Sequence, residues 1–230
     1  MPQSAAEPRA PFTTASVMGR LARRLEIGGR SRLLEFGVTG TSAAVLIAAE
    51  LGCRITVADA SREALDRVRS EAEAAGVRGL LTPMAVDAQS PSLPADAFDL
   101  AIAGARARVL GPLARLLRPA LVPSRGHLAA VVAARVGTQA RDLASWERAL
   151  GAPLRSPQAE LAELQRCGYE PELAEALSEA GLVELYGVHP APPDEEAALV
   201  QSGPGGVSFM LVAGRRAEPS ERPPAARDRG

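Results

Sequence analysis

Arg32-Leu33-Leu34-Glu35-Phe36-Gly37-Val38-Thr39-Gly40-Thr41-Ser42-Ala43, residues 32–43, decides how the rest of the chain is read. Its first five residues are a short apolar run that stops at a glycine, the pattern of a strand buried on both faces of a parallel sheet. Thr41 and Ser42 stand where a helix cap belongs. They precede Ala43 to Leu51, which is apolar almost all round and so expected to be buried. Strand, glycine turn and helix in that order open a sheet wrapped by helices. In such sheets ligands sit beyond the carboxyl ends of the strands, near the point where strand order reverses.

Working outward, the alternation continues. Arg54 to Ala58 reads as a second strand closed by Asp59, and Ser61 caps a charged helix that stops at Gly76. Leu80 to Val86, ending at Asp87, and Phe98 to Ala103 read as strands. Val109 to Leu117 is helical, and His127 to Ala134 is a central strand. Thr138 to Ala180 then reads as three helices punctuated by Gly151, Pro153, Gly168 and Pro171. Leu143, Trp146 and Leu150, then Leu161 and Leu164, then Leu173 and Leu177, form their core stripes. Leu182 to Val188 and Val207 to Ala213 are strands joined by a loop without a helix, so the last one runs antiparallel. Ahead of all this only Thr14 to Leu25 is helical. The Pro-rich ends, 1–12 and 218–230, have nothing to bury and are expected to be disordered around a single domain, 13–217, with a helical insert at 138–180.

The loop resembles two families. SAM-dependent methyltransferases, which use S-adenosylmethionine (SAM), carry D/E-x-G-x-G-x-G. Glu35 and Gly37 match it, while Thr39 and Thr41 stand where the second and third glycines belong, with Gly40 one place off. NAD(P)-dependent epimerases and reductases carry G-x-x-G-x-x-G/A, which Gly37, Gly40 and Ala43 fit. Those reductases usually add a Tyr-x-x-x-Lys pair, and this chain has no lysine. The methyltransferase resemblance, in contrast, runs from about Leu21 to Ala217. Asp59 in VADAS, Asp87-Ala88 with Ser92-Leu93-Pro94 and Phe98-Asp99-Leu100, then Leu116-Leu117-Arg118-Pro119 and Gly126-His127-Leu128 follow the family's landmarks in order. The chain thus resembles class I methyltransferases, nearest in flavour to ubiquinone/menaquinone-type small-molecule enzymes, with a departed glycine loop.

That resemblance implies an α/β Rossmann-like fold of methyltransferase type: a seven-stranded, mostly parallel sheet with one antiparallel strand and helices on both faces. It implies S-adenosylmethionine as cofactor, held by Glu35, Gly37, Gly40, Asp59, Ala60, Asp87 and Ala88. Asp59 would meet the ribose hydroxyls and Asp87 the adenine amino group. Glu35 would organise the loop or cap nearby amides. The expected reaction is in-line methyl transfer to a small-molecule acceptor. The altered loop and the brief N-terminal helix leave a second reading, a catalytically weak or silent methyltransferase-like subunit that pairs with an active partner, as a homo- or hetero-oligomer, through the 138–180 helices. A third is a nicotinamide-dependent reductase or epimerase.

Other residues are weighed by position. His189 ends a strand on the carboxyl edge and could act as a base, although a solvated histidine fits as well. Arg106 and Arg108 follow the fourth strand and could bind an anionic substrate group. Tyr169, in the turn Cys167-Gly168-Tyr169-Glu170-Pro171, is a substrate contact or a packing residue. His127, at the amino edge, reads as structural, and Cys53 as a small core residue. Twenty-six basic against 27 acidic residues leave a net charge of −1, which asks for no nucleic-acid partner. Two isolated cysteines and two histidines form no metal pattern. No run approaches the ~18 to 20 apolar residues of a membrane span, and the start lacks the build of a secretion signal, so a cytoplasmic location is expected.

Overall fold

In the computed structural model, which describes residues 17–38, 42–103, 110–136, 143–150, 152–177 and 207–218, seven strands form one sheet. They are β1 (Arg32–Phe36), β2 (Arg54–Asp59), β3 (Leu81–Ala85), β4 (Leu100–Ala103), β5 (His127–Arg135), β6 (Tyr169–Ala176) and β7 (Val207–Arg216). Their order is β3-β2-β1-β4-β5-β7-β6. β1 to β5 are mutually parallel, and β7 runs antiparallel to both β5 and β6. β6 therefore points the same way as β5, and β7 is the single reversed strand. The expected fold class is the observed one.

Helices α1 (Val17–Arg24), α2 (Ala43–Leu51), α3 (Arg62–Ala74), α4 (Leu110–Leu117), α5 (Leu143–Leu150) and α6 (Pro157–Arg166) cover the faces. One core joins Leu21 of α1, the buried side of α2 and α3, and Trp146 of α5 to Leu33, Ile55 and Val57 of the sheet. Trp146 meets Phe209 of β7 edge-on, with ring centroids 5.7 Å apart, an arrangement that aromatic quadrupoles favour. The other core packs Leu110, Ala114 and Leu117 of α4 and Leu164 of α6 on Leu34, Ala101 and Leu128. α2 buries Ala44, Val45, Ile47 and Ala48 and leaves Ala49 and Glu50 exposed, so its burial is less complete than its composition suggests, and α3 buries only Ala64, Leu65, Val68 and Ala72.

The chain moves from β1 outward to β2 and β3, then returns to β4 on the other side of β1. The carboxyl ends of β1 and β4 consequently flank the crevice where an open sheet of this kind takes its ligand.

One stretch departs from expectation. The third helix expected before Ala180 is the strand β6 instead. Gly168, at φ +83°, ends α6, and Tyr169 to Ala176 then pairs with β7 from Arg216 to Met210. Leu173 and Leu177 have helical spacing, but pairing to β7 outweighs that local pattern. The strand expected at Leu182 to Val188 lies outside the described residues. Both outermost strands contain a proline, Pro83 in β3 and Pro171 in β6, and the β6 register shifts between Pro171 and Leu173. No helix among the described residues is long and apolar enough to cross a membrane.

Candidate ligand site at the carboxyl edge

Hydrogen bonds draw the ends of three strands together. Gly37 turns the chain out of β1 at φ +78°, a conformation that costs glycine little. Its N–H donates to Ala58 O at 2.9 Å. The next amide, Val38 N–H, donates to Asp59 Oδ2 at 2.6 Å, and Ser61 N–H donates to Asp59 Oδ1 at 2.6 Å. Val86 N–H donates to the Asp59 carbonyl at 3.1 Å. Asp59 thus ties the β1 turn, the start of α3 and the end of β3 to one carboxylate and its backbone. A carboxylate offers about four lone-pair positions, so half of the Asp59 capacity remains for other donors.

Among the described residues, a Cβ added at Gly37 would meet nothing within 4 Å. Ala60, Asp87 and Ala88 lie exposed beside it, and the Asp87 carboxylate makes one local bond, accepting from Gln89 N–H at 2.9 Å.

Beneath the turn, the amino end of α2 is filled. Glu35, 4% exposed on β1, accepts from Ser42 Oγ at 2.6 Å and from Ala43 and Ala44 N–H at 3.1 Å each. Burial pushes its carboxyl above the usual carboxylate range, against the pull of Ser42, Ala44 and Ala43, and the neighbouring Glu71 adds to the rise. Glu71 Oε2 in turn accepts from Ser42 N–H at 3.2 Å. Ser42 occupies the cap position, yet its hydroxyl makes no capping bond of its own. The capping is done by Glu35, whose reach from the adjacent strand is a long-range substitute for a Ser or Asp cap.

A second set of acids lies on α6. Glu163 is buried against Gly111 of α4, where an added Cβ would meet its Cδ at 2.8 Å and its Cγ at 2.9 Å. Arg115 and Arg155 each reach it at 3.2 Å and Arg166 bonds to it at 2.5 Å. Burial opposes its charge, but the three guanidinium groups outweigh that and hold the carboxyl below its ordinary range. Glu160, one turn earlier, is also buried, and burial raises its carboxyl. Glu160, Glu163, Leu164 and Cys167 are spaced i, i+3, i+4 and i+7, so the apolar pair Leu164 and Cys167 marked this face as inward. Sequence reasoning passed over both acids because charged residues on a helix usually face water.

Tyr169 is placed differently from the expected turn. It starts β6 at the amino edge, is buried, and donates its hydroxyl to Ala114 O at 2.9 Å. That position is opposite to the ligand edge, so it is a packing residue. His127 begins β5 on the same amino edge, with Nε2 3.1 Å from Glu172 Oε2, and Cys53 is fully buried. Gly40 with Thr39 and Thr41, Arg106, Arg108 and His189 lie outside the described residues. Among the described residues no group of three or more His, Cys, Asp or Glu could hold a metal ion.

No family model and no curated protein sequence matches the chain. Solved structures do match it over most of its length. The geranyl diphosphate C-methyltransferase from Streptomyces coelicolor A3(2), in complex with Mg2+, geranyl diphosphate and S-adenosyl-L-homocysteine, is 12% identical, with a TM-score of 0.66, covering 87% of this chain and 80% of that one. A SAM-dependent methyltransferase from Thiobacillus denitrificans, bound to S-adenosyl-L-homocysteine, is 18% identical over 92% of this chain and 95% of its own, with a TM-score of 0.66. The [4+2]-cyclase SpnF is 21% identical over 91% and 85%, with a TM-score of 0.65. These similarities establish the fold, and the presence of a cyclase among them leaves the reaction to be argued from the site.

Proposed function

We propose that the chain is a methyltransferase that binds S-adenosylmethionine at the Gly37, Asp59 and Asp87 edge and methylates a small-molecule acceptor. The observation that carries this reading is the occupied amino end of α2. Dinucleotide cofactors rest their pyrophosphate on the N-terminal amides of this helix. Here Ala43 and Ala44 already donate to Glu35, and Glu71 stands beside them. A pyrophosphate would face two carboxylates at that point, which argues against the nicotinamide reading. A ligand without phosphate, carrying positive charge and many donor groups, suits the same surroundings. S-adenosylmethionine is of that kind: a sulfonium, an ammonium, two ribose hydroxyls and an adenine amino group. Asp59 would take the hydroxyls with its remaining lone pairs, Asp87 the amino group, and the face over Gly37 the methionine part.

The cosubstrate supplies an activated methyl group, so the protein contributes mainly by holding the acceptor in line. Geranyl diphosphate, held by one of the similar structures, is a small organic molecule, which supports that class of acceptor.

Calorimetric titration with S-adenosylhomocysteine, with NADH as the control ligand, tests the reading. Micromolar binding of the first and none of the second is expected, weakened at least tenfold by Asp59→Asn and by Asp87→Ala. The Asp87 variant is the cleaner of the two, since Asp87 holds only a local turn. Binding of NADH alone would overturn the proposal.

A further inference from the structure

Ser42, fully buried at the start of α2, is held by two carboxylates that reach it from different elements. Glu35 of β1 accepts from its hydroxyl at 2.6 Å, and Glu71 of α3 accepts from its N–H at 3.2 Å. Glu71 stands apart from its own helix. Every other charged residue of α3 lies exposed, whereas Glu71 is half-buried on the margin of the stripe formed by Leu65, Val68 and Ala72.

A local group could not make this bond. In a capping box the side chain three residues past the cap reaches back to the cap N–H, and here that position is Val45. Glu71 takes its place from 29 residues away. It does so at a cost to Glu35. Burial raises the Glu35 carboxyl, and the charge of Glu71 adds to the rise, because like charges beside one serine repel. A neutral acceptor would satisfy the same amide without that repulsion, and like-charge pairs of this sort gather at functional sites. The bond also has a telling place in the chain. Val38 N–H, at the near end of the turn out of β1, is held by Asp59 Oδ2 at 2.6 Å, and Ser42 is the far end. Asp59 from β2 and Glu71 from α3 therefore anchor the turn on both sides.

We propose that Glu71 is a positioning residue for the ligand edge, fixing through Ser42 the far end of the turn over which the cosubstrate binds, an inference that rests on the methyltransferase reading. Glu71 need not touch the ligand. Its effect passes through Ser42 to the Glu35 carboxylate and to the Ala43 and Ala44 amides that Glu35 holds. Without Glu71 the turn keeps its Asp59 anchor and loses the other. Ligand binding must then order the far end, and that cost lowers affinity.

Amide hydrogen exchange read by mass spectrometry, with calorimetric titration of S-adenosylhomocysteine, tests the assignment on the full chain, Glu71→Ala and Glu71→Gln. In Glu71→Ala, exchange should rise in peptides spanning 38–44 and stay unchanged in β4 and β5. Its affinity should fall about three- to tenfold, the worth of one hydrogen bond. Glu71→Gln should recover most of both, because its carbonyl still accepts from Ser42. It should also melt no lower than the parent, because the repulsion with Glu35 is gone. Unchanged exchange at 38–44, or unchanged affinity, in Glu71→Ala overturns the proposal. Exchange that rises across the whole sheet also overturns it, since that marks a merely structural role. Failure of the parent to bind S-adenosylhomocysteine would overturn the methyltransferase reading itself, and the exchange measurement, which needs no ligand, keeps that outcome distinct from a failure at Glu71.

Discussion

Replacing Gly37 by alanine separates backbone strain from ligand exclusion at one position. Gly37 sits at φ +78°, where an L side chain costs about 1–2 kcal/mol. No atom of the described residues lies within 4 Å of the added Cβ, so packing against them adds nothing to that cost. For a domain of this size about 1 kcal/mol moves the melting temperature by about 2–4 °C, which gives a fall of about 2–8 °C. Gly76 is the matched control: φ is +70°, the Cβ space is equally empty, and the end of α3 lies on the opposite edge of the sheet. Gly76→Ala should lose similar stability and keep full affinity for S-adenosylhomocysteine. Gly37→Ala should lose at least tenfold in affinity, because its methyl occupies the face over the turn where the ligand is placed. Differential scanning fluorimetry reads the first quantity and calorimetry the second. Equal ligand affinity in the two variants would refute the placement of the ligand over Gly37.

Two buried carboxyls should give opposite pH dependence. Glu35 is raised from 4.5 by burial, so the folded chain holds its proton longer than the unfolded chain, and this contribution to stability falls as pH climbs from about 4.5 through the raised value. Glu163 is lowered from 4.5 by its three arginines, so its contribution is present above that pH and is lost as pH falls through the lowered value. Urea midpoints across this range for Glu35→Gln and Glu163→Gln should each lack the matching slope. Gly126→Ala should cost about 1–3 kcal/mol in urea unfolding, since its Cβ would meet Val122 N at 2.6 Å, Val122 O at 2.7 Å and Leu121 Cβ at 2.8 Å; an unchanged midpoint would refute that close approach.

The parallel half of the sheet was legible because each of its strands is a short apolar run closed by a Gly or Asp, and each helix begins or ends on a recognisable residue. Ser61 does cap α3, accepting from Ala64 N–H at 3.2 Å. β6 was not legible. A strand at the sheet's edge is half-exposed on both faces, so Glu170, Glu172 and Glu175 obscure any period of two, and its pairing with β7 is a contact between distant parts of the chain. At the site, the positions of Asp59 and Asp87 followed from counting along the strands. Capping of nearby amides was one of two roles open to Glu35 in the sequence; that those amides belong to α2 follows only from the turn at Gly37, which brings Ser42, Ala43 and Ala44 back to it. Glu160 and Glu163 were passed over for a different reason: charged residues on a helix usually face water, and only the apolar Leu164 and Cys167 on the same face hinted at their burial.

The two prolines in the outer strands bear on how the protein behaves when crowded. A sheet grows by recruiting a strand from another molecule along its unpaired rim, and this is how many α/β proteins begin to aggregate. Pro83 and Pro171 remove an amide donor from each rim, and the shift at Pro171/Leu173 bends one of them. A neighbouring strand that zipped along either rim would stall at its middle. Growth of the sheet along either rim is therefore disfavoured, and the folded chain should tolerate high concentration without fibre formation.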